Sequence, residues 1–228
     1  MSYQTKVEFD EQTSRFGACM KKTLLVLAPH TDDGEFGCGG TISKYLHDGW
    51  RVVYVAFSAA EQSVLPHLPR DILRTEVKCA TELLGIQLLD CIVFDFEVRK
   101  FPEQRQAILD EMVKLNNQFQ PNLVLLPSPN DTHQDHSVIA HEGFRAFKRT
   151  SMLGYEVPWN NLDFRTTCFV HLRKEDLDNK VAALLCYKSQ AHRVYASEDV
   201  IRSQAVFRGT QIGTKYAEAF EVLRWITN

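Results

Sequence analysis

Four short apolar runs, TLLVLA (23–28), VVYVAF (52–57), LLDCIVF (88–94) and NLVLLP (122–127), recur along the first part of the chain. Apolar runs without polar alternation mark strands that are covered on both faces. The segments between and after them, 36–48, 69–85, 103–119 and 134–149, have helical spacing, the second with Pro69 at its start and Gly85 at its end. Strands that alternate with helices predict a parallel sheet, because parallel neighbours need a long crossover to connect them. The expected fold class is therefore α/β, a Rossmann-like and mostly parallel sheet flanked by helices. Past residue 150 the stretch SMLGYEVPWNNLDFRTT is irregular, TTCFVHL reads as a further strand, and 174–190 and 197–208 have helical spacing. These form a C-terminal α/β extension packed on the same sheet. No repeat or low-complexity tract divides the 228 residues, so the expected organisation is a polar leader over 1–20 and a single domain over 21–228.

Charge and cysteine usage narrow the function classes. Lys and Arg number 26 against 29 Asp and Glu, with no long run of either sign, which argues against a nucleic-acid partner. The first 22 residues lack the apolar core of a secretory signal, and nowhere do about eighteen apolar residues run uninterrupted. No transmembrane segment is expected, and a cytoplasmic location is. The six cysteines include no C-x-x-C pair, which fits reduced thiols better than a disulfide frame or a thiolate metal knot. A homo-oligomer is compatible with the sequence, though no pattern specifies one.

Two polar clusters follow strand ends. After the first strand come His30, Asp32, Asp33 and Glu35; after the fourth come Asp131, His133, Asp135 and His136. Ligands of open parallel sheets bind beyond the carboxyl ends of the strands. A dinucleotide loop fails on detail, since Ile42 stands where the third glycine belongs and no Gly-Lys-Ser/Thr follows. The glycines of GCGG instead let a helix pack close to its strand. Capping and the helix dipole account for one carboxylate, such as Glu35. They leave unexplained a histidine beside two consecutive aspartates, whose repulsion a divalent cation would offset. Facing each other across neighbouring strands, the two clusters predict a shared metal site.

These residues resemble the motifs of the PIG-L/LmbE family of metal-dependent sugar N-deacetylases. Ala28-Pro29-His30-Thr31-Asp32-Asp33 is similar to its first motif and His133-Gln134-Asp135-His136 to its second. The similarity extends through GCGGT (37–41), Arg74-x-Glu76, Tyr187-Lys188-Ser189-Gln190 and Tyr216-Ala217-Glu218-Ala219-Phe220. Two departures stand out: Thr31 replaces a common proline, and Gly34 replaces the family's glutamate, with Glu35 one position later. The support that this glutamate gives must then come from Glu35 or elsewhere.

The resemblance implies a hydrolase that removes an N-acetyl group from an N-acetylglucosamine-type sugar conjugate, a small-molecule substrate, with metal-activated water. By the same resemblance His30, Asp33 and His136 bind Zn²⁺, with Fe²⁺ or Mn²⁺ as alternative ions. Asp32 serves as general base, His133 stabilises the oxyanion, and Asp135 orients His133 and favours its protonated form. Arg74 and His192 are the expected substrate-binding residues, with Arg193 beside the latter at the entrance. Substrate contacts are expected from the loops 58–70, 95–103 and 150–165. Two rivals use the same residues: a catalytically silent sugar-binding module of the same fold, and an Fe(II) enzyme with two histidines and one carboxylate. The first should have lost Asp32 or His133, and the second generally sits on a jelly roll rather than on alternating strands and helices.

Overall fold

The computed structural model describes residues 21–227, so the expected polar leader over 1–20 lies outside the described residues. The first half is the alternation the apolar runs predict: β1 (Thr23–His30), α1 (Asp33–His47), β2 (Arg51–Ser58), α2 (Ile72–Leu84), β3 (Cys91–Val93), α3 (Arg105–Phe119), β4 (Leu123–Pro127) and α4 (Gln134–Ala146). The second half adds β5 (Ser151–Tyr155), β6 (Cys168–His171), α5 (Lys174–Leu184), α6 (Glu198–Thr210) and β7 (Ala217–Arg224). All seven strands join one sheet in the order β3-β2-β1-β4-β5-β7-β6. The first five pair in parallel, and β7 runs antiparallel between β5 and β6.

Alternate residues of each central strand feed opposite layers, as the pleat requires. Leu24 and Val26 of β1 join Val52 and Tyr54 of β2 in a core with Ile42, Val77 and Val181 from α1, α2 and α5. Leu25 and Leu27 join Val53 and Val55 in the opposite layer, against Ile108 and Met112 of α3 and Ile139 of α4. Helices therefore cover both faces, which is why β1 carries no polar alternation.

Two expectations need correction. Leu88 and Leu89, placed in a strand from their apolarity, form a 3₁₀ turn and are 68% and 90% exposed. Part of the stretch from 151 read as irregular is the fully buried β5. The tail strand β7 lacks a continuous apolar run, because both of its faces are buried over 217–221 and each carries a glutamate, Glu218 on one and Glu221 on the other.

The topology reverses between β1 and β4, whose connections leave in opposite directions, and this opens a crevice at their carboxyl ends. His30 ends β1, and Asp131 to His136 follow β4. The sheet thus brings together two clusters that lie about a hundred residues apart in sequence.

Candidate metal centre

His30 and His136 converge on one oxygen of Asp33. His30 Nδ1 lies 3.0 Å and His136 Nε2 3.2 Å from Asp33 Oδ2. The same oxygen accepts the His30 backbone N–H at 2.8 Å, which ties the end of β1 to the first turn of α1. Tetrahedral zinc with bonds of about 2.0–2.1 Å sets its ligand atoms about 3.3 Å apart. The spacing of these three groups fits that geometry.

Each imidazole is backed from behind. Asp131 Oδ2 sits 2.7 Å from His136 Nδ1, and Asp135 Oδ2 sits 3.0 Å from His30 Nε2. Carboxylates on the far ring nitrogens fix tautomer and orientation and raise ligand basicity, an arrangement typical of histidines that hold metals. Asp135 is itself fixed by the backbone N–H groups of Arg99 at 2.6 Å and Phe101 at 3.3 Å. His30, His133 and Asp135 also lie close enough to hold an ion. Asp135 is already engaged by these three donors, however, so the Asp33-centred set is the better site.

The electrostatics agree. Burial opposes protonation of His30 and His136, but Asp33 and the backing carboxylates outweigh it and raise them to about 9 and about 10. Burial also opposes ionisation of Asp33, yet His136 and His30 hold its carboxyl well below the usual carboxylate range. The cluster therefore attracts positive charge, which two protons or one dication can supply.

Asp32 and His133 flank this set and line the same cavity of about 230 Å³. Asp32 occupies the N-cap position of α1, but its side chain makes no capping bond. Burial, then the charge of Asp33, pushes Asp32 up to about 6. His133 caps α4, its Nδ1 accepting the Asp135 N–H at 3.2 Å. Nδ1 being the acceptor, the ring carries its proton on Nε2. Burial, then the positive charge of His30 and His136, lowers the His133 pKa. The expectation for Asp135 is corrected in its geometry: its carboxylate orients His30 while its backbone N–H orients His133, whose protonated form its charge favours less strongly than burial and the two other histidines oppose it.

Glu35 answers the question its neighbour Gly34 raises. It is fully buried and lies within hydrogen-bonding distance of the hydroxyls of Tyr54 and, at 2.9 Å, Tyr187. Both hydroxyls also reach the Thr31 carbonyl, at 2.8 and 2.6 Å, so the two phenols clamp the turn that carries Asp32 and Asp33. Burial pushes Glu35 up to about 8. A Cβ on Gly34 would lie 2.5 Å from the Tyr54 ring, which explains why this chain has no glutamate there. Gly34→Ala should gain about 1 kcal/mol of helix propensity and lose about 1–3 kcal/mol to overpacking. A Tm lowered by up to about 8 °C is expected in a thermal melt; a raised Tm would show that Tyr54 yields freely.

Of the expected substrate-binding residues, Arg74 lies outside this cavity, held by Glu61 at 2.8 Å and by Asp95. His192 is exposed to solvent, and its neighbour Arg193 faces the cavity instead. The three expected loops do reach it, through Ser63, Val98 and Trp159. Trp159 stacks on Tyr195 with ring centroids 3.9 Å apart, and Phe36 meets both edge-on. Asp131, Tyr54 and Tyr187 are functional supports to which sequence reasoning assigned no role. Only Asp131, within the second cluster, and Tyr187, within the matched YKSQ, carried any signal.

Known proteins share this arrangement of the chain. The diacetylchitobiose deacetylase of Thermococcus kodakarensis is 26% identical over 221 residues, covering 86% of this chain and 81% of that protein. The N,N'-diacetylchitobiose deacetylase structure from Pyrococcus horikoshii superimposes with a TM-score of 0.74 at 22% identity, covering 89% of this chain and 84% of that one. GalB, the 4-carboxy-2-hydroxymuconate hydratase of Pseudomonas putida, superimposes equally well, with a TM-score of 0.75 at 21% identity over 91% and 98% of the two chains. The fold alone therefore does not choose a reaction. The family described as PIG-L: GlcNAc-PI de-N-acetylase matches residues 25–147, a span that contains both clusters of the metal centre, and the chain belongs to this family.

Proposed function

We propose that this protein is a zinc-dependent amidohydrolase that releases acetate from an N-acetylglucosamine-type sugar conjugate and leaves the free amine. The observation that carries the reading is that His30 Nδ1 and His136 Nε2 lie 3.0 and 3.2 Å from one Asp33 oxygen, all three ligand atoms within 4.8 Å of one another, with Asp32 and His133 on the same cavity. Membership of a de-N-acetylase family and similarity to a diacetylchitobiose deacetylase support the acetylated sugar as substrate. Among the described residues no helix is long and apolar enough to cross a membrane.

His30 Nδ1, one Asp33 oxygen and His136 Nε2 would hold the ion. Bound there, zinc supplies Lewis acidity and brings the pKa of a water toward about 7. Asp32, free of any capping duty, takes the proton of the attacking water and returns one to the leaving nitrogen. The amide C–N bond breaks as the new C–O bond is retained, giving acetate and amine. His133 donates its Nε2 proton as a hydrogen bond to the developing oxyanion, and it does so as a neutral imidazole. Both residues that a silent binding module could dispense with are present, which favours catalysis over that alternative.

The test is release of acetate and amine from N-acetylglucosamine conjugates. Turnover is expected with zinc-loaded protein, to vanish on chelation and to return when zinc is restored. Turnover that survives full chelation would exclude the mechanism, and failure on every N-acetylated sugar would exclude the substrate class.

A further inference from the structure

Resting on the deacetylase reading, we propose that Arg193 recognises an anionic group, a carboxylate or a phosphate, on the aglycone of the sugar substrate. Eight of the thirteen arginines among the described residues sit on carboxylates, Arg74, Arg105, Arg173, Arg202 and Arg208 among them. Arg193 has no carboxylate within 4.0 Å among the described residues, although it lines the cavity that holds Asp32 and His133.

Its guanidinium is nonetheless held in place. Nε donates to Gln190 Oε1 at 2.6 Å, and Gln190 Nε2 donates to Ser189 Oγ at 3.0 Å. Ser189 is fixed in turn by the buried Glu76, through its backbone N–H at 2.9 Å and its hydroxyl at 2.5 Å. The guanidinium carbon also lies 5.7 Å from the centre of the Tyr195 ring. These contacts position the fork with no carboxylate within ion-pair distance, although its charge reaches Asp32 across the cavity. The Tyr195 side chain is the other polar group beside the guanidinium, and a planar fork with no carboxylate in contact suits bidentate binding of a carboxylate or phosphate.

A second cation stands at the cavity mouth. The exposed Arg99 has no ion pair among the described residues, and its side chain donates to Ser63 Oγ at 3.0 Å, Ser63 being part of the cavity wall. Its backbone adopts φ of +68°, held by the Asp135 carboxylate that accepts its N–H. One such cation on the cavity wall and another bonded to that wall through Ser63 raise the local concentration of an anionic ligand.

The experiment compares three N-acetylglucosaminides that differ only at C1: the 1-phosphate, the 1-O-carboxymethyl glycoside and the neutral 1-O-methyl glycoside. Kinetics are measured for the wild type, Arg193→Met and Arg193→Lys, all zinc-loaded. A hydrogen bond to a charged partner corresponds to about 10- to 100-fold in affinity. Arg193→Met should raise KM for one or both anionic substrates by about that factor. The loss in kcat/KM for the methyl glycoside should be at least about tenfold smaller than for the anionic substrate, and the lysine variant should recover part of the difference. The arm that loses more identifies the anion. A uniform loss across all three substrates would assign Arg193 to the electrostatics of Asp32 and overturn the proposal, as would a wild type without preference for either anion. If none of the three is turned over, the deacetylase reading fails on its own. Calorimetric binding of the 1-phosphate then decides for Arg193: lost binding in Arg193→Met supports the proposal, and undiminished binding overturns it.

Discussion

Replacing Asp32 with asparagine is expected to lower kcat by about 10²- to 10⁴-fold, the usual contribution of a positioned proton-transfer group. The substitution is nearly isosteric and removes no structural bond, since the Asp32 side chain does not cap α1. Zinc content and KM should therefore stay near wild type, which separates the loss from a collapsed site. The pH profile gives an independent check. Burial and the charge of Asp33 push Asp32 up to about 6. The base works only when ionised, so kcat/KM should rise as pH increases through that group's pKa. A bound dication beside Asp33 draws this acid limb to about 6 or below. The limb should vanish in the asparagine variant. A variant that keeps turnover within tenfold of wild type, with its acid limb intact, would take the role of base away from Asp32.

Glu218→Ala is expected to destabilise the protein by about 3–5 kcal/mol, the cost of breaking a buried ion pair and stranding one partner. The reason lies in a break within α1. Cys38 has non-helical torsions, φ −150° and ψ 23°, which interrupt the helix at GCGG. The backbone N–H groups of Gly40 and Thr41 donate instead to the Glu218 carboxylate at 3.0 and 2.7 Å. Lys180 Nζ closes the other side, 2.7 Å from the Phe36 carbonyl and 2.6 Å from Glu218 Oε1. A strand near the end of the chain thus splices the helix whose first turn carries Asp33. Without Glu218, two buried amides and an ammonium lose their partner together. Urea unfolding should show a lowered midpoint at an unchanged m-value. The exposed Lys174–Asp178 pair is the control, with an expected loss of at most about 1 kcal/mol. A loss for Glu218→Ala no larger than that control would mean that the kinked helix holds itself.

The same residues explain how much of the protein could be read from sequence. The parallel half was legible because β1, β2 and β4 are buried on both faces and their apolar runs follow directly from that burial. The antiparallel half was not, since β7 buries Glu218 and Glu221, two charges that look like surface until their partners are known. The two polar clusters were legible because each is contiguous and each follows a strand. What contiguity cannot give is which atom faces which. Asp135 lies two residues from His133 but turns its carboxylate toward His30, across the crevice. Arg74 was misplaced for the same reason: Glu61 and Asp95, from two separate loops, hold it away from the cavity. At the entrance the error was a single residue, since the turns after α5 decide whether His192 or Arg193 looks inward. Gly34 could be noticed in the sequence, but its cause, the Tyr54 ring seated against it, is purely tertiary.

The claim on which the account depends is that the loops after β1 and β4 share one ion. Anomalous diffraction at the zinc edge from zinc-loaded crystals tests it directly. The account predicts one peak per chain, about 2.0–2.1 Å from His30 Nδ1, an Asp33 oxygen and His136 Nε2. A peak on His133 and Asp135 instead, or no bound zinc at all, would contradict it.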